Sequence, residues 1–268
     1  MLNKKNWIFI FVLLLLGGCQ SNPTYNTPSS SSSKIKLENP NRYDNSPANV
    51  YIRLATAYLN RKDYPTAYKN ALKAVEVDPG NPNAFNLLAV VYQIVGEYDR
   101  ADESFRKALS ISPDDAYINN TYAAFLCEIN EFDKSLYHFK KTIDHPLYQE
   151  KWLPMTNIGI CAVRSDKLEV AEEYLRKALQ INGKFKNALY NMIDVNVRKQ
   201  NYWSARAYLQ RYLEVGKHDS KTLWWGIQTE QKLGDLDRLD SYKLLLRSKF
   251  PDSDEAKMLQ DSQQRNSE

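Results

Sequence analysis

Three thiols are the groups in this chain with the clearest chemistry of their own: Cys19, Cys127 and Cys161. A thiolate can take an acyl group, ligate a metal or pair with another thiol. No C-x-x-C is present to favour metal or redox use, and the chain also lacks G-x-x-x-x-G-K-[ST], H-E-x-x-H and G-x-S-x-G. The histidines, His138, His145 and His218, are scattered and read as solvated or core-edge side chains rather than ligands. The carboxylate pairs Asp114-Asp115 and Glu172-Glu173 fall at helix starts or on exposed faces, where the helix dipole accounts for them. The expectation is a non-enzymatic protein with no cofactor, no metal and no small-molecule substrate.

What precedes Cys19 assigns its chemistry. Lys4 and Lys5 form a basic start, and residues 7–16 (WIFIFVLLLL) form an apolar run. That run is short of the ~20 residues of a spanning helix, so it reads as a signal peptide over residues 1–18. Leu16-Gly17-Gly18-Cys19 resembles the bacterial lipobox, in which small residues let the peptidase close on the backbone and the cysteine is acylated. The alternative is an ordinary signal peptide whose cleavage site happens to hold a cysteine. Gln20 rather than Asp follows; by resemblance to bacterial lipoproteins generally, this implies the outer membrane, with the chain on its periplasmic face. Residues 19–47 carry Ser29 to Ser33 in a row, with Pro23, Pro28, Pro40 and Pro47. They read as a disordered, lipidated tether spanning roughly 30 Å.

Processing also changes the charge. The whole chain has 36 Lys and Arg against 32 Asp and Glu; losing Lys4 and Lys5 leaves 34 against 32, a net of +2. With no long basic run, nucleic acid is not an expected partner.

The remainder, 43% hydrophobic over the whole sequence, has core-forming composition and an internal period. Residues 82–113 read PNAFNLLAVVYQIVGEYDRADESFRKALSISP. Phe85, Leu88 and Tyr92 mark a helical stripe, and Ala89, Ala101 and Ala108 fall where two helices must approach closely. Gly96-Glu97 breaks the pattern and Pro113 ends it. This is the pattern of a tetratricopeptide repeat (TPR), a helix-turn-helix hairpin with a period of about 34 residues. Such a hairpin cannot bury its faces alone.

Further copies start near residues 48, 116, 152, 186 and 220. The first carries Tyr51, Leu54, Ala55 and Tyr58, then Ala67, Ala71 and Ala74, closing at Pro79. In the third, Thr142 replaces a small residue and His145-Pro146 come early. The fourth starts two residues beyond the strict period, which lengthens the loop before it. It carries Gly159, Ala171, Leu175 and Ala178, and Asn182-Gly183 suits a left-handed helix cap. In the fifth, Asn196 takes the usual aromatic position; in the sixth, Trp224-Trp225-Gly226 opens the repeat and Gly234-Asp235 turns it. The expected fold is all-α: a right-handed superhelical TPR solenoid of about six hairpins over residues 48–262. It ends in a capping helix over residues 252–262 and a disordered tail at 263–268.

With Cys19 acylated, Cys127 and Cys161 remain as an even pair in an oxidising compartment. They lie on first (A) helices of consecutive repeats, which are neighbours in a TPR stack, although their registers differ by two positions. A disulfide there would stabilise by about 3–4 kcal/mol in the chain-entropy model. The alternative is two buried free thiols.

A helices line the inner face of such a stack. Ile52, Thr56, Asn86, Val90, Gln93, Asn120, Tyr190, Val197 and Trp224 are the expected partner-binding groove, apolar and amide-bearing with few charges. Each could instead serve inter-repeat packing. Ile52 stands where chaperone-binding TPRs have the lysine of a carboxylate clamp.

Four stretches together resemble one family, the TPR lipoproteins of type IV pilus biogenesis (PilF/PilW). They are VYQIVGEYDRADESFRKAL (91–109), NNTYAAFLCE (119–128), TNIGICAVRSDKLEVAEEYLRKAL (156–179) and LWWGIQTEQKLGDLDRLDSYKLLLRSKFPDSDEA (223–256). Cys127 and Cys161 stand where the family also has cysteines. Ala123-Ala124 and Trp225 depart from it. The resemblance implies a pilotin: an outer-membrane lipoprotein that binds the pilus secretin subunit and promotes its insertion and multimerisation. A fibre-stabilising role is described for some members. The alternative function is a general cell-envelope TPR lipoprotein scaffold for protein assembly.

Overall fold

Small residues let paired helices close on one another, and here they are fully buried: Ala55 and Ala89 on A helices, Ala67, Ala71, Ala74, Ala101 and Ala108 on second (B) helices. The computed structural model describes residues 46–265, which form thirteen α-helices and no strand. Six hairpins follow in order: α1 (Pro47–Asn60) with α2 (Tyr64–Val77), α3 (Pro82–Ile94) with α4 (Tyr98–Ile111), and α5 (Ala116–Glu128) with α6 (Phe132–Asp144). Then come α7 (Trp152–Arg164) with α8 (Leu168–Ile181), α9 (Lys186–Arg198) with α10 (Tyr202–Leu213), and α11 (Ser220–Leu233) with α12 (Leu236–Lys249). The last helix is α13 (Asp254–Arg265). Every A helix packs on the A helix of the next repeat, and every B helix but the last on the A helix that follows it. This is the nearest-neighbour contact pattern of a solenoid.

The turn inside each hairpin is set by one backbone position. Lys62, Gly96, Asn130, Asp166, Gln200 and Gly234 all have positive φ, between 56° and 84°. Each is the single left-handed residue that reverses the chain between A and B helices. The connectors between hairpins work differently. Asp78, Ser112, Asn182 and Phe250 cap their B helices in a non-helical conformation with φ from −131° to −141°. Asn182-Gly183 is therefore not the left-handed cap its residue types suggested; the extended cap residue carries the chain on into the next A helix.

Repeat three keeps the stack despite its polar residues. The Thr142 hydroxyl donates to Ala116 O at 3.1 Å and Ser135 to Ala123 O at 2.8 Å, so buried hydroxyls bond across the hairpin. The long loop after α6 is anchored by Tyr148, buried against the Tyr117 ring at 5.4 Å between centroids. In repeat four, a side chain at Gly159 would run into Leu175.

Both ends differ from expectation. α1 begins at Pro47, inside the expected tether, because proline costs no hydrogen bond in a first turn and Ser46 caps the helix. At the other end, α13 runs to Arg265, three residues into the expected tail, and its Ala256 and Leu259 are buried in the last core cluster. The signal peptide, Cys19 and the tether to residue 45 lie outside the described residues. Among the described residues, no helix is long and apolar enough to cross a membrane.

Candidate binding face on the A helices

The inner stripe of the A helices recurs at equivalent positions: Ile52, Asn86, Asn120, Thr156, Tyr190 and Trp224. Burial divides them. Ile52 and Asn86 are each 1% exposed and Val90 is 7% exposed. Ile52 and Val90 belong to the first core cluster, with Leu87, Leu88 and Leu126. These three are thus packing residues rather than open groove, because α1, α3 and α5 lie in direct contact and apolar side chains fill the space between them. Asn86 keeps an amide oxygen with no hydrogen bond in that setting.

The other expected groove residues are half-buried. Thr56 donates back to Ile52 O at 2.9 Å, a local bond within its own helix. Gln93 Nε2 donates to Glu128 Oε2 at 2.6 Å, and Tyr98 donates to the other oxygen of the same carboxylate at 3.2 Å. Asn120 Oδ1 is buried without a partner. Tyr190 packs edge-on to Trp225 at 4.9 Å, so the departure at Trp225 supports a residue of the stripe. Val197 and Trp224 pack beside the second and third core clusters.

The face is less poor in charge than its sequence suggested. Asp194 lies one turn beyond Tyr190 on α9, half-buried, and burial pushes its carboxyl above the usual range while Arg198 and Lys221 pull it down. Burial and the carboxylates of Asp219 and Asp194 likewise push the Tyr190 phenol up. Asp219 caps α11, accepting from Thr222 N at 2.8 Å in a capping box. Sequence reasoning missed Asp194, Asp219 and Lys221. The available signal was spacing, since Asp194 is the i+4 neighbour of Tyr190 on one helix face.

Arginines tie adjacent A helices end to end. Arg164 Nη1 donates to Cys127 O at 3.4 Å and Arg198 Nη1 to Val163 O at 3.0 Å. Both carbonyls belong to the last turn of the preceding A helix, where each also accepts from the turn residue that follows, Asn130 N and Asp166 N respectively. Arg198 is also ion-paired to Asp166. Beside Arg164, Cys127 and Cys161 form a disulfide between α5 and α7, with Cα atoms 5.6 Å apart. That separation falls within the ordinary range for the bond, so the two-position difference in register does not prevent it.

His138 is half-buried against Tyr122, with Nδ1 2.8 Å from Asn119 Oδ1. The Asn119 amide nitrogen donates to Pro113 O and Asp115 O, so its oxygen is the acceptor and His138 carries its proton on Nδ1. Burial, with Lys141 nearby, pushes His138 down to about 4. Among the described residues, no group of three or more His, Cys, Asp or Glu side chains could hold a metal ion.

Helix pairs stacked through A-to-A contacts define a TPR solenoid, and tetratricopeptide repeat models match residues 70–103 and 155–185. The chain is similar to the PilF structure of Pseudomonas aeruginosa: 30% identity, 80% of this chain and 97% of that one covered, TM-score 0.72. It is similar also to PilW, described as a widely conserved type IV pilus biogenesis factor: 31% identity, 81% and 99% covered, TM-score 0.75. Among curated proteins, the type IV pilus assembly protein PilF of P. aeruginosa is 30% identical over 107 residues, 40% of this chain and 42% of that protein. The chain belongs to the TPR family of type IV pilus biogenesis proteins.

Proposed function

We propose that this protein is a lipid-anchored pilotin on the periplasmic face of the outer membrane. It binds the type IV pilus secretin subunit through its A helices and promotes secretin localisation and multimerisation. The observation that carries the reading is the likeness to PilF and PilW, which spans 97% and 99% of those chains rather than a single repeat. A stack of helix pairs with a half-buried inner face suits a role in binding. Acylation of Cys19 would hold the subunit at the membrane, where raised effective concentration favours ring assembly.

The test is a clean deletion and a Cys19→Ser variant, read as the fraction of secretin running as heat-resistant multimer in outer-membrane fractions, with surface piliation alongside. Deletion is expected to abolish multimers and pili. Cys19→Ser is expected to keep secretin binding in detergent extracts and lose palmitate labelling and localisation. Normal multimers with normal pili in the deletion strain would reject the pilotin reading. Normal multimers with missing pili would replace it with a fibre-stabilising role.

A further inference from the structure

We infer that the inner face of repeats five and six holds a basic side chain of the bound partner, paired with Asp194 beside Tyr190. The inference rests on the reading that this face binds a protein segment, and it adds the chemistry of one anchor.

Asp194 makes no hydrogen bond and no ion pair with any described residue, although it is half-buried on the inner stripe of α9. A carboxylate in that position has lost part of its hydration without gaining an ion pair, and a cation that reached it would be favoured. The two local cations do not supply it. Arg198 is already engaged, ion-paired to Asp166 and bonded to Val163 O. Lys221 acts on Asp194 from α11 without forming an ion pair with it. Asp219 brings a second carboxylate to the Tyr190 phenol. Asp194 thus stands on the inner stripe without an ion pair of its own, and a basic side chain brought by a partner would supply one.

Geometry favours the same occupant. Tyr190 and Asp194 share one face of α9 by their i, i+4 spacing. The Tyr190 oxygen is buried without a hydrogen bond of ordinary length, its hydroxyl interacting with the Asp219 carboxylate, which leaves its lone pairs to accept from a donor. A guanidinium carries several N–H donors in one plane and an ammonium carries three, enough to reach both the carboxylate and the phenol oxygen. Trp225, edge-on to Tyr190 at 4.9 Å between centroids, is the aromatic ring of α11 beside that position.

The pocket is tested without the secretin. The purified full chain in detergent is titrated with Nα-acetyl-arginine amide, and with its citrulline analogue as a neutral isostere, while backbone amide and indole resonances are followed by NMR. Saturable shifts confined to α9 and α11 are expected with arginine and not with citrulline. Asp194→Asn should weaken binding about tenfold or more, as removal of one partner of a desolvated charge pair does. Glu173→Gln, an exposed carboxylate on α8, should leave binding unchanged. Asp194→Asn removes an unpaired charge, so its thermal midpoint should not fall below that of the parent. Absent shifts, equal shifts with citrulline, or shifts unaffected by Asp194→Asn would overturn the inference.

A second arm uses overlapping peptides of the secretin's periplasmic region. Peptides that bind but are indifferent both to Asp194→Asn and to Arg or Lys→Gln changes would also overturn it, leaving the pilotin reading intact. A working arginine pocket with no secretin peptide bound would count against the pilotin reading alone.

Discussion

At the scale of single residues, the backbone makes a demand that side-chain type does not always meet. Six hairpin turns need one left-handed residue each, and only Gly96 and Gly234 meet the need without a Cβ. Lys62 and Gln200, with φ of 60° and 58°, bear a steric cost of roughly 1 kcal/mol that Asn130 and Asp166 partly escape. Lys62→Gly and Gln200→Gly are each expected to raise stability by about 0.5 kcal/mol, net of glycine's extra chain entropy. Urea midpoints that fall for both would reject the strain argument. Gly96 and Gly234 were legible as turns from the sequence; Lys62 and Gln200 were not, because nothing in a lysine or glutamine announces a positive φ. His138 gives a pH signature. Its folded pKa, about 4, lies below the ordinary 6.5, so the unfolded chain takes up a proton that the folded chain refuses. Stability is therefore present in full above pH 6.5 and is lost as pH falls toward 4. Thermal midpoints of the parent should drop more steeply over that window than those of His138→Gln; parallel curves would remove the assignment.

At the scale of elements, the last two repeats are joined by a polar lock. Glu230, 0% exposed on α11, accepts Nε of Arg206 from α10 at 3.0 Å and is also ion-paired through Nη2; Asp235 lies 3.5 Å from the same nitrogen. Arg206 also lies over the exposed Trp203 ring. Losing the arginine strands a buried carboxylate, so Arg206→Ala is expected to cost about 3–5 kcal/mol. Replacing both partners by methionine should cost much less. Equal losses in chemical denaturation for the single and double variants would show that packing rather than charge is at stake. The sequence did not single out Glu230, since its partner comes from a different helix.

At the scale of the whole repeat array, stability is a sum of hairpins and the interfaces between neighbours. The Cys127–Cys161 bond staples one such interface, closing a chain separation of 34 residues. The Cys127→Ser, Cys161→Ser pair is expected to lower stability by about 3–4 kcal/mol through the unfolded chain while leaving native helicity unchanged. Denaturant midpoints with circular dichroism check both halves of that statement. A loss of helix in water would mean the bond shapes the fold as well.

The sequence by itself determined the helix pairs, their number and their order, because the period of small and large residues is local information that each hairpin obeys in the same way. It also identified the family, through stretches spread along the repeat region. Tertiary structure alone decided which inner-stripe residues are packed and which stay partly open at the surface of the stack. Ile52, Asn86 and Val90 occupy groove positions by spacing yet are buried, while Asp194 went unremarked in sequence and stands half-buried without a partner. The physical reason is that burial and charge balance at any A-helix position are set by the next A helix, one repeat further along the chain.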